Sequence, residues 1–132
     1  MTHDPQQPVD PLDVRVVAEI LGRTLALMGP GGVGDLLARL PGARPVAGTP
    51  GRLFRPAVPP VVWLGAENLL VLADPVVHQH VVGGVVLQRR ALPPADLGPT
   101  VAPLVAQLVR SHGGQTDAAM VLTAAREVLL TL

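Results

Sequence analysis

The chain contains no cysteine, no lysine and no tyrosine. Without cysteine there can be no disulfide scaffold, no thiolate metal site and no thiol nucleophile. Without lysine there is no phosphate-loop lysine. Aromatic residues make up 2% of the chain, with one Trp and one Phe, so stacking on nucleic-acid bases has little material. Charged residues make up 15%, well below the roughly 25% of an ordinary soluble domain. Ten arginines balance ten acids, and a formal charge of zero gives no global attraction to nucleic acid or anionic lipid. Nucleic acid is therefore not an expected partner. The longest runs free of charge are residues 75–88 and 97–109, interrupted by polar residues or proline and short of the roughly 18 apolar residues of a membrane span. The opening MTHDPQQPV lacks the basic start and apolar stretch of a secretory signal, so the expected location is the cytoplasm.

What is present is aliphatic. The 132 residues include 21 Val, 21 Leu and 16 Ala, and the hydrophobic fraction of 48% excludes disorder of the whole chain. The length fits one domain. Residues 1–9 read as a disordered tail and residues 10–132 as a single α+β domain.

The first helix is expected over residues 11–28, with Asp10 as N-cap and Pro11 at the first helical position. Its stripe is Val14, Val17, Leu21, Leu25 and Met28, and Gly29-Pro30 ends it. A short second helix is expected over residues 33–40. Residues 41–60 hold six prolines and three glycines, which excludes helix; two short strands, 44–47 and 52–55, are expected there. The Val-rich runs 61–64, 69–73, 76–82 and 85–90 read as strands, with Gly83-Gly84 as a two-residue hairpin turn or a glycine bulge. Thr100 is the expected N-cap of a third helix ending at Gly113-Gly114, and Thr116 that of a fourth. The fold class is thus α+β: two N-terminal helices, an antiparallel β-meander of four to six strands, and two C-terminal helices packed on one sheet face. At the level of architecture this order resembles small dimeric chaperone-like or adaptor α/β folds.

Four groups of residues could carry chemistry. Gly29-Pro30-Gly31-Gly32-Val33-Gly34 fits the glycine pattern of a dinucleotide loop. It follows a helical rather than a strand pattern, however, and no acid lies between Asp35 and Glu67 to hold a ribose. A Gly-Pro connector between helices is the plainer reading.

His78 and His80 are two apart on a strand and point the same way, so both could reach one metal ion. A third ligand is needed, with Asp74, Glu67 or His112 available, none at a diagnostic spacing. With a Gly83-Gly84 turn, His78 would face Arg89 and His80 would face Leu87. The plainer reading is a pair of solvent-facing or interface histidines. Arg39, Arg44, Arg52 and Arg55 form an acid-free basic stretch that could meet phosphate or an acidic partner, or simply be a solvated loop. Ser111, the one serine, sits beside His112 at a helix end, where an oxyanion is repelled, and reads as a helix terminus.

The apolar excess is the stronger signal. Valines at 76, 77, 81, 82, 85 and 86 lie on both faces of one hairpin, and only one face can pack on the helices. The expected function is a non-catalytic protein–protein interaction module, a homodimeric adaptor or chaperone-like protein, not an enzyme and without a cofactor. The expected contact residues are Val76, Val82, Val85, Trp63, Arg52 and Arg55. The partner is a second copy, or another protein on the apolar sheet face. The alternatives are a small apolar-ligand-binding domain lidded by residues 41–60, and a metal-dependent enzyme at His78 and His80.

Overall fold

The computed structural model describes residues 10–132, and the expected tail at 1–9 lies outside the described residues. The chain is α+β. Its elements are α1 (Val14–Ala38), β1 (Ala43–Val46), β2 (Val61–Leu64), β3 (Asn68–Val71), β4 (Val76–Val82), β5 (Val85–Leu92), α2 (Pro94–His112) and α3 (Gln115–Thr131). The five strands form one antiparallel sheet in sequence order, within the expected four to six.

Among the described residues there are three helices, not the expected four. Residues 14–38 run as one kinked element, because only Gly29 leaves helical geometry, at φ 72 and ψ −174. Pro30 restarts the helix at once, at a first-turn position where its missing N–H costs nothing. From Pro30 onward the glycine-rich string is therefore helical and forms no phosphate loop. The N-cap is Asp13, not Asp10. Its carboxylate accepts from the Arg15 N–H at 2.8 Å, while Asp10 caps a preceding turn by accepting from the Leu12 N–H.

Helix α2 also begins earlier than expected, at Pro94, and carries Pro99 and Pro103 inside it. An internal proline costs a helix roughly 3 kcal/mol. Leu97, Val101, Val105 and Leu108 are all buried along this helix, and that burial outweighs the local penalty. Helix α3 starts after Gly114 rather than at Thr116.

The core lies between the helices and one face of the sheet. Val17, Ile20, Leu21, Val33 and Leu37 of α1 meet Leu97, Val101 and Val105 of α2, with Val62, Leu64, Leu70, Leu72, Val76 and Leu92 below them. Helix α1 is, among the described residues, the one helix with the length and mean hydropathy of a membrane crossing; one of its faces belongs to this core.

Strands β1 and β2 are the base of one long hairpin. Their pairing, Val46 with Val61, continues in unbroken register through Thr49 with Val58 to Arg52 with Arg55. Residues 52–55 are thus the turn of an arm rather than the expected strand. Prolines at 50, 56, 59 and 60 remove the donors that would make the ladder continuous. The last backbone bond from the arm to the rest of the sheet runs from the Leu72 N–H to the Pro60 carbonyl, 2.9 Å.

Candidate functional site

Residues directly opposite in an antiparallel sheet share a face, so the register sorts the side chains into rows. On the helix side one row is Pro45, Val62, Leu70, His78 and Arg90. It passes from fully buried Val62 and Leu70 to the part-buried His78 and the exposed Arg90. The neighbouring row holds Asn68, His80 and Gln88. The helix side of the sheet is therefore apolar under the helices and polar at the β4–β5 end.

This polar end is one candidate site. His78 Nε2 pairs with Asn68 Oδ1 at 3.0 Å, and His80 Nε2 lies 3.4 Å from Glu67 Oε2. Arg90 reaches across to Asp96 in the first turn of α2 at 3.3 Å. Burial, and then the neighbouring charges of His80 and Arg90, hold the His78 imidazole below its ordinary value. The two histidines share a face, as their spacing implies, but each Nε2 turns to a different partner at the start of β3. Among the described residues no group of three or more His, Asp or Glu is arranged to hold a metal ion. Asp74 lies at the cis Asp74–Pro75 turn, and Ser111 bonds to carbonyls of its own helix, as a helix-terminal serine does.

The register differs from the expected one by a single residue. Gly83 and Gly84 do form the two-residue turn, with φ 57 and 80, and Val82 pairs with Val85. Between His80 and Val81 the pairing shifts, which leaves Leu87 as an extra residue on β5. His78 consequently faces Arg90 rather than Arg89, and His80 faces Gln88 rather than Leu87.

The outer face is the second candidate. One of its rows is Val46, Val61, Val71, Val77 and Ala91, apolar across all five strands. The next is Arg44, Trp63, Leu69, Gln79 and Arg89, with the Arg44 guanidinium 5.5 Å from the Trp63 ring centre. Val81 and Val86 extend the apolar surface toward the β4–β5 turn. Val77 and Val81 are buried yet lie outside the core cluster, because the core draws on the opposite face. None of the three helices packs on this side.

The expected contact residues are scattered by this geometry. Trp63 sits on the outer face. Val76 does not: it is 2% exposed and packed in the core, since its parity on β4 points it at the helices. Val82 and Val85 flank the hairpin turn and are exposed. Arg52 and Arg55 are exposed at the far end of the arm. Sequence reasoning missed Val61, Leu69 and Val71 as residues of the outer face. The available signal was that Val61-Val62-Trp63-Leu64 and Leu69-Leu70-Val71 are apolar at both parities.

An apolar groove of about 340 Å³ lies between α1 and α3, lined by Thr24, Met28, Leu36, Val121, Val128 and Leu129 among others. Neither the 76–92 hairpin nor the 41–60 segment contributes to it.

No curated protein and no solved structure matches the chain. A family model described as "Domain of unknown function (DUF5073)" matches residues 9–131, nearly the whole sequence. The chain belongs to the DUF5073 family.

Proposed function

We propose that the protein is a non-catalytic interaction module that works as a homodimer, an adaptor or chaperone-like protein whose sheet meets a second copy through its outer face. One observation carries this reading. The row Val46, Val61, Val71, Val77 and Ala91 is apolar from edge to edge of the sheet, on the side opposite the helices. A two-layer domain buries one sheet face on its helices and leaves the other to polar residues or to a partner. Here the second face has the composition of a partner-covered one. Arg44 and Arg89 at the two ends of the adjacent row supply a polar rim.

Light scattering on the full chain tests the reading. The expected mass is twice the 13.7 kDa of one chain. Val71→Glu and Leu69→Glu, both on the outer face, should give a folded monomer by circular dichroism. A wild-type chain that stays monomeric at high concentration would overturn the proposal.

A further inference from the structure

The arm between β1 and β2 ends in Arg52-Leu53-Phe54-Arg55. Arg52 and Arg55 exchange two backbone hydrogen bonds, both 2.9 Å, which close the turn. Leu53 and Phe54 at the apex are 83% and 95% exposed. Phe54 is the only phenylalanine in the chain and, among the described residues, the most exposed large apolar side chain. It also holds a positive φ of 68, the only non-glycine among the described residues to do so. The second central position of such a turn normally takes Gly or Asn. Local conformational preference and burial both disfavour Phe here.

From this placement we infer that the tip is a peripheral membrane anchor, with Leu53 and Phe54 entering the headgroup–acyl boundary of an anionic bilayer and Arg52 and Arg55 meeting its phosphates. Charge complementarity is the first support. No acid lies between Asp35 and Glu67, so the arm carries positive charge only, although the whole chain is neutral. Shape is the second. A convex apolar apex gains contact from a protein only where a matching pocket exists, whereas a lipid boundary closes around it. The arm's backbone is the third. Prolines at 50, 56, 59 and 60 leave the arm with fewer backbone N–H groups to desolvate near lipid. The tip residues lie outside the two outer-face rows.

Vesicle co-sedimentation of the full chain tests the inference. Vesicles of phosphatidylglycerol and phosphatidylcholine in equal parts should retain the wild type, increasingly so at low salt, and pure phosphatidylcholine vesicles should not. The double change Arg52→Gln and Arg55→Gln should weaken binding about thirty-fold, about five-fold for each arginine. Phe54→Gly should abolish retention while leaving the thermal midpoint unchanged or higher, because glycine suits the positive φ. That combination separates a lost anchor from a damaged fold. Equal binding to both vesicle types, or full retention of Phe54→Gly, would overturn the assignment. So would a Phe54→Gly variant that keeps vesicle binding but falls from dimer to monomer, because the tip would then be part of a protein contact.

Discussion

Gly98 of α2 lies against the backbone of α1 at Ala18: a Cβ at position 98 would collide with the Ala18 carbonyl oxygen. The crowding atom is backbone, so it cannot rotate away. In an exposed helix interior, Gly→Ala stabilises by about 1 kcal/mol. Here Gly98→Ala must part the two helices where they cross, and we expect a loss of about 1–3 kcal/mol instead. The sign of the change in urea denaturation is the test. A stabilised variant would show that the two helices do not meet so closely.

Leu69 and Leu70 are neighbours in β3 on opposite faces. Leu70 is fully buried under the helices, and Leu69 is part-buried on the outer face. Leu70→Ala should cost about 2–5 kcal/mol, the range for large cavities in a core. Leu69→Ala should cost the monomer's fold much less, and should show its main effect as a dimer that dissociates at higher concentration. Denaturation at several protein concentrations distinguishes the two.

Stability should depend on pH through His78. Its folded-state value is held below the ordinary 6.5, first by burial and then by His80 and Arg90. The unfolded ring takes up its proton near 6.5, and the folded ring resists until lower pH. The unfolded state therefore binds more protons across that interval, and stability falls as pH drops through it. Above the ordinary value the contribution is complete. In His78→Gln, denaturation midpoints measured from about pH 7.5 to about pH 5 should fall less steeply than in the wild type. An identical slope would remove His78 from the account.

The cap at Asp13 gives a local prediction. Its side chain accepts from the Arg15 N–H at 2.8 Å, at the first turn of α1. Asp13→Ala should cost about 0.5–2 kcal/mol, and Asp10→Ala less, because Asp10 caps only the turn before the helix. The two variants' thermal midpoints check the order.

Much of the fold was legible because periodicity reports directly on burial. The valine runs of β4 and β5 and the Gly83-Gly84 turn needed only alternation and positive φ to be found. The stripe of α1 and the helical character of its C-terminal part were likewise visible. Misreadings fell where a local rule met a tertiary gain. Thr100 reads as the cap of α2, yet the helix begins at Pro94, and the burial of Leu97 and Val101 outweighs the cost of Pro99 and Pro103 inside it. Residues 44–47 and 52–55 read as two short strands joined by a turn at 48–51. The register shows instead the two sides of one hairpin whose true partner strand, β2, lay further along the chain.

The candidate sites divide in the same way. By itself, the sequence determined that this is an α+β chain with aliphatic residues at both parities of its strands. It also determined that His78 and His80 share a face, since side-chain direction along a strand alternates with every residue. Which face that is, and which apolar residues are left outside, depended on pairing across strands. One extra residue, Leu87, shifts the partner of each histidine, and parity alone sends Val76 into the core and Val77 to the outer face. The exposure of Phe54 was equally a tertiary matter, because only the long unbroken register of the arm carries that residue clear of the sheet. Local pattern fixes whether a side chain can be buried; the packing of distant strands and helices decides whether it is.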